Sequence, residues 1–240
     1  MILLIKERKM KADIGIIGAM EPEVLSLISS LEQRKCDTFS GITFYSGTLS
    51  NKKVVVAKCG IGKVFAAVCA EIMMLKYSPS LIVNTGVGGA LSDGLNTGDV
   101  VVARDLVQHD MDTSAIGDPK GLVSGINKIY FEADARAVEI LMSAAEKLGL
   151  KTSAGRIASG DKFIASVDEK KRIKEDFHAD VCEMEGASIA QTAFINSTPF
   201  AVVRAISDSA DGEATMSYPE FLPIAAKNSQ MLILELIKRF

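Results

Sequence analysis

Asp13-Ile-Gly-Ile-Ile-Gly-Ala-Met-Glu-Pro-Glu23 is the stretch from which the rest of the chain is read. Its unbroken apolar run, with no polar alternation, reads as a strand buried on both faces. Gly18 ends that run, and Pro22 suits the first turn of a helix over about 21–31. A buried strand that turns at once into a helix is the opening half of an α/β unit. The pattern repeats outward. Residues 54–57 form a second β-rich run, followed by a glycine turn and a helix over about 64–76. Leu81-Ile-Val-Asn84 and Val100-Val-Val-Ala103 read as central strands. Helices are expected near 134–148, 185–194 and 218–238, and a last strong strand over 201–206. Such a succession implies a three-layer α/β/α sandwich with a mixed central sheet.

The 240 residues are 48% hydrophobic, and no Pro-, Gly- or Ser-rich stretch divides them, so a single domain over 10–240 is expected. Residues 1–9, ending before a second methionine at Met10, read as an N-terminal extension. Their apolar run is too short for a signal peptide, and its charges follow rather than precede it. Lysine plus arginine number 27 against 30 acidic residues, for a net charge of −3, and the basic residues are scattered. That balance argues against nucleic acid and against an anionic membrane surface as partners. No run is long enough to span a bilayer. Four cysteines (Cys36, Cys59, Cys69, Cys182) lie far apart with no C-x-x-C pair, which suggests neither zinc nor disulfides and fits a reducing, cytoplasmic setting. His109 and His178 are the only histidines, so acid–base chemistry must lean on carboxylates.

In α/β folds ligands collect where strands run into loops at their carboxyl ends. Those points carry unusual residues here. Glu23 stands near a helix N-terminus, where it can cap the helix or face a ligand. Thr85-Gly-Val-Gly-Gly-Ala90 lacks the Lys-Ser/Thr ending of a phosphate loop and the spacing of a dinucleotide fingerprint, but permits close backbone approach. Ser159-Gly-Asp-Lys-Phe-Ile164 offers an aromatic beside an aliphatic. Cys182-Glu-Met-Glu-Gly-Ala187 sets two carboxylates at a strand-to-helix corner amid apolar neighbours, and buried carboxylates need partners or a task. Arg204-Ala-Ile-Ser-Asp208 closes an apolar strand with polar side chains, for which a structural Arg204–Asp208 ion pair is the bland alternative.

Taken in order, Gly15-Ile-Ile-Gly-Ala-Met-Glu-x-Glu23, Cys59-Gly-Ile-Gly-Lys63, Asn84-Thr-Gly, Ser159-Gly-Asp, Glu183-Met-Glu185 and Arg204-Ala-Ile-Ser-Asp208 resemble the 5′-methylthioadenosine/S-adenosylhomocysteine nucleosidases. The resemblance implies a nucleoside phosphorylase-type fold, a homodimer, and hydrolysis of the N-glycosidic bond of adenine nucleosides without metal or organic cofactor. It implies Asp208 as the general acid at adenine N7, oriented by Ser207, and Glu23 polarising the attacking water with help from Arg204. Glu185 would hold the ribose hydroxyls beside Glu183, while Met184 and Met20 line the apolar side of the sugar. Phe163 would stack on adenine, the Ile164 backbone read its edge, and Tyr218 cover the alkylthio end. Val87 stands where some members carry a serine near the water. The loop holding Thr113 and Ile116 would reach into the pocket of a neighbouring subunit.

The chemistry agrees with that assignment. Glycosidic cleavage builds positive charge on the ribosyl ring and negative charge on the base, so an acid at the base and carboxylates at the sugar both lower the barrier. A phosphorylase on the same fold would attack with phosphate. Glu23 about 4 Å from a phosphate would cost on the order of 4 kcal/mol per charge pair at an effective dielectric of 20. An aminodeoxyfutalosine nucleosidase and a non-catalytic nucleoside-binding protein are the remaining alternatives. Phe65, Cys69 and Met73, at helical spacing, form a stripe that could face another subunit.

Overall fold

A computed structural model describes residues 11–208 and 214–240, with side chains in the last segment from Ala226 onward. The first strand, β1 (Ile14–Gly18), leads into α1 (Glu21–Ser29) as expected. The chain then forms a meander of β2 (Glu32–Phe39), β3 (Ile42–Leu49) and β4 (Lys52–Lys58). After α2 (Lys63–Tyr77) come β5 (Leu81–Ala90), β6 (Val100–Gln108) and the two-residue β7 (Phe131–Glu132). Next are α3 (Ala135–Leu148), β8 (Thr152–Ser159), α4 (Val167–Phe177) and β9 (Val181–Glu183). The chain ends with α5 (Gly186–Ile195), β10 (Phe200–Asp208) and α6 (Ala214–Arg239).

The sheet is mixed, and its residues alternate between two apolar layers. Ile14 and Ile16 pack with Leu27 of α1, Leu141 of α3 and Leu232 of α6. Ile17, one residue out of phase, packs with Ala70 and Met73 of α2 and Ala190 of α5. This is the helix–sheet–helix layering that the buried strands imply. A third cluster joins Ile173 and Phe177 of α4 to Val107, Ala158 and Cys182.

Strand β5 organises the site. Its first residues pair with β1, its last two with β9, and β10 runs parallel along its other side. Because β10 also pairs with β6, β6 with β8, and β8 with β9, five strands close into a ring, while β1, β4, β3 and β2 continue as an open sheet. Glycines make this crowding possible. A Cβ at Gly88 would fall 2.6 Å from the Val181 side chain.

Three expectations change. The β2–β3 hairpin and α4 have no counterpart in the sequence reading. The stripe Phe65/Cys69/Met73 does not exist as one face: Cys69 and Met73 are fully buried against the sheet, whereas Phe65 is 58% exposed. Steps of four residues advance about 40° around a helix of 3.6 residues per turn, so the row drifts from solvent into core. The alternative Arg204–Asp208 ion pair is not formed either. Arg204 pairs with Glu183, and Asp208 pairs with Lys170. Four residues of strand put about 13 Å between the two backbones, and each side chain meets a nearer partner. Residues 1–9 and the side chain of Tyr218 lie outside the described residues.

Candidate active site

A cavity of about 400 Å³ opens where β1, β5, β8, β9 and β10 reach their carboxyl ends. Met20 and Glu23 enter it from the β1–α1 turn, Val87, Gly88 and Gly89 from β5, and Phe163 and Ile164 from the loop after β8. Met184 and Glu185 come from the β9–α5 corner, and Ser207 and Asp208 from the end of β10.

Glu23 both caps and faces the cavity. Its Oε2 accepts from the amides of Ala19 (2.7 Å) and Met20 (2.8 Å), which closes the N-terminus of α1. Its Oε1 accepts from Val87 N at 3.2 Å. Gly86 is required beside it, since a Cβ there would fall 2.7 Å from Oε1. Burial pushes the Glu23 carboxyl up from its ordinary range, against the pull of these amides and of Arg204.

Arg204 is fully buried and stands behind the cavity wall rather than among its lining residues. Its Nε and Nη2 donate to Glu183 Oε2, Nη2 also donates to Asn84 Oδ1, and Nη2 lies 3.9 Å from Glu185 Oε2. Glu183 spends its carboxylate on structure. It accepts from Ser159 Oγ, from Arg204, and from the amides of Glu185 and Gly186 at the start of α5. Burial opposes its charge, but Arg204 and these donors outweigh burial and hold Glu183 below the usual carboxylate range. Among the described residues the Glu185 carboxylate accepts one hydrogen bond, from Gly62 N at 2.9 Å. Burial, followed by the charge of Glu183, raises it to about 7. The cluster therefore contains one carboxylate fixed as an anion and one poised to change charge near neutrality.

At the end of β10, Asp208 Oδ1 accepts from Ser207 Oγ at 2.9 Å and Oδ2 from Lys170 Nζ at 2.9 Å. Gly89 leaves room for this carboxyl, because a Cβ there would sit 2.8 Å from Oδ2.

The structure thus brings Met20, Glu23, Val87, Phe163, Ile164, Glu183, Met184, Glu185, Ser207 and Asp208 around one cavity. Arg204 lies behind it. Thr113 and Ile116 are not among its lining residues. Thr113 bonds Asp118, and Ile116, on a short 3₁₀ turn, is 82% exposed. The sequence reading missed Ile61, which lines the cavity from the turn before α2, and gave no role to Asn84, which orients Arg204. It also missed Lys170, which looks from sequence like one more charge in the run Asp168-Glu-Lys-Lys-Arg172.

The mixed sheet flanked by helices belongs to the phosphorylase superfamily, whose profile matches residues 13–238. The 5′-methylthioadenosine/S-adenosylhomocysteine nucleosidase of Staphylococcus aureus is 40% identical over 227 residues, covering 94% of this chain and 99% of the relative. The crystal structure of the Neisseria meningitidis 5′-methylthioadenosine/S-adenosylhomocysteine nucleosidase, in complex with methylthio-immucillin-A, superposes with a TM-score of 0.92. It is 38% identical, over 95% of this chain and 99% of that one. The futalosine hydrolase of Helicobacter pylori superposes with a TM-score of 0.90 at 33% identity, over 97% and 99% of the two chains. The chain belongs to the 5′-methylthioadenosine/S-adenosylhomocysteine nucleosidase family of the phosphorylase superfamily.

Proposed function

We propose that this protein is an N-ribosyl hydrolase that cleaves 5′-methylthioadenosine and S-adenosylhomocysteine with water, releasing adenine and the thio-ribose. The observation that carries the reading is the set of acidic side chains on the cavity wall. Glu23, Glu183, Glu185 and Asp208 line it, and among the described lining residues Lys162 is the only cation. That wall suits a sugar that becomes cationic and repels a phosphate nucleophile.

Each residue then has a task. Phe163, on the cavity rim, stacks on adenine, and the Ile164 backbone meets its edge. Asp208, steadied by Ser207, gives its proton to N7 as the C–N bond breaks, so the base leaves neutral. Glu185 holds the ribose hydroxyls, and its attraction for the ring strengthens as the ring becomes cationic. Met20 and Met184 pack on the sugar's apolar side. Glu23 accepts a hydrogen bond from the water, which attacks C1′ and passes its proton to that carboxylate. Arg204 supplies the charge that lets Glu23, Glu183 and Glu185 stand close together. Likeness to a futalosine hydrolase favours aminodeoxyfutalosine as a second substrate to be tried, alongside 5′-deoxyadenosine.

The active unit is a homodimer of single-domain chains spanning 10–240, with 1–9 as an extension. Exposed apolar side chains support it: Ile61, Val64, Phe65 and Val68 around α2, with Ile116 outside its own subunit's cavity. Ile61 is at once exposed and cavity-lining, so a partner on this face would border the cavity; Thr113 and Ile116 are assigned to the rim of the neighbouring site by the family resemblance. Among the described residues no helix is long and apolar enough to cross a membrane. With four free cysteines, three of them buried, a reducing cytoplasm is the proposed setting. Reaction in ¹⁸O-labelled water tests the chemistry. The label should enter the sugar product at C1 and never adenine. A sugar phosphate, or unlabelled sugar, would overturn the reading.

A further inference from the structure

Helix α4 is amphipathic, and its core-facing positions are Lys170, Ile173 and Phe177. Two of the three are the apolar residues such a face calls for. The third is a lysine at a site where an ammonium is costly to desolvate. Its Nζ lies 2.9 Å from Asp208 Oδ2, and both side chains are only 3% exposed. Packing alone does not call for this pair, since exchanging a whole buried ion pair for hydrophobic residues of similar volume is often neutral or stabilising. Lys170 is not among the residues lining the cavity, whereas Asp208 is. The carboxyl therefore stands between the cavity and the ammonium.

From this arrangement we infer that Lys170 is a positioning residue for the proton transfer to the leaving base, acting through Asp208. The inference rests on the assignment of Asp208 as general acid. Ser207 Oγ donates to one lone pair of Oδ1 and Lys170 Nζ to one lone pair of Oδ2, which leaves the second lone pair of an oxygen to carry the proton destined for N7; the carboxyl cannot rotate about its Cβ–Cγ bond without losing one donor. Gly89 removes the side chain that would otherwise push on Oδ2. Three elements, α4, β5 and β10, thereby fix the plane of one carboxyl. Transfer of a proton to a ring nitrogen depends steeply on such alignment.

The test separates leaving-group protonation from every other part of the site. Lys170→Met and Lys170→Arg are assayed with methylthioadenosine and with 4-nitrophenyl 5-methylthio-riboside, whose nitrophenolate departs without a proton. Lys170→Met should lose at least about tenfold in kcat on methylthioadenosine, with KM within about threefold. Both parameters should stay within about threefold on the nitrophenyl substrate. Lys170→Arg, which keeps the charge on a different arm, should fall between wild type and Lys170→Met on methylthioadenosine and spare the nitrophenyl substrate. It serves as the readout if the methionine variant does not fold. Equal losses on both substrates would make Lys170 a structural residue only, and an unchanged or faster rate on methylthioadenosine would equally overturn the inference. A wild-type protein that cleaves neither substrate would instead sink the nucleosidase reading itself.

Discussion

At the scale of single residues, the site works by giving similar carboxylates different surroundings. Asp208 is gripped by two side-chain donors, Glu183 is neutralised by Arg204, and Glu185 is left short of partners. Asp208→Asn preserves shape but carries no transferable proton, so turnover should fall at least about 10²-fold while substrate binding survives better. Near wild-type turnover in a steady-state assay would remove Asp208 from the chemistry. Glu185 gives a prediction in pH. Burial and Glu183 raise it from 4.5 to about 7, so the folded chain binds this proton more tightly than the unfolded chain. Its stabilising contribution is complete below about 4.5 and is lost as pH rises through about 7. Glu185→Gln has no charge to lose. Its melting temperature relative to wild type should therefore climb between pH 4.5 and 7 and level off above. A difference that stays flat or declines over that window would contradict the shift. The same variant should lose more affinity for a cationic iminoribitol analogue than for substrate, because only the cation gains from the charge.

Secondary-structure elements set where these groups stand, and they were unevenly legible in the sequence. Strands β1, β5, β6 and β10 announce themselves as unbroken apolar runs because both of their faces are buried. Lys170 and α4 do not. The helix is charged on every exposed turn, and a buried lysine looks the same in sequence as a solvated one until Asp208 is seen against it. The β2–β3 hairpin was hidden for a related reason: β2 is an edge strand, exposed along nearly its whole length, so no apolar period marks it. Closure of the ring was equally illegible, because it depends on β10 meeting both β5 and β6. The glycines of β5 were visible, but their purpose was not. Gly86→Ala places a methyl group against the Glu23 carboxylate and should displace it from Val87 N. Activity is expected to drop by about tenfold or more, with a stability cost of about 1–3 kcal/mol. If kcat/KM stays at the wild-type value, β5 does not set the position of Glu23.

On the scale of the whole molecule, the proposed dimer would tie assembly to activity through the exposed apolar face around α2. Val64 is 73% exposed, so Val64→Glu is harmless to a lone chain but buries an unpaired charge in a dimer. Sedimentation should show this variant as a monomer at concentrations where wild type is dimeric, with activity falling in step. A fully active monomer would show that each chain completes its own site.

The proposed activity rests on water, not phosphate, being the nucleophile in a cavity that Glu23, Glu183, Glu185 and Asp208 help to line. The most direct measurement follows adenine release from methylthioadenosine by purified protein, in phosphate-free buffer and then across a phosphate titration. Release at full rate without phosphate, with no acceleration as phosphate is added, is the predicted result. A rate that vanishes without phosphate and rises in proportion to it would contradict hydrolysis at this site.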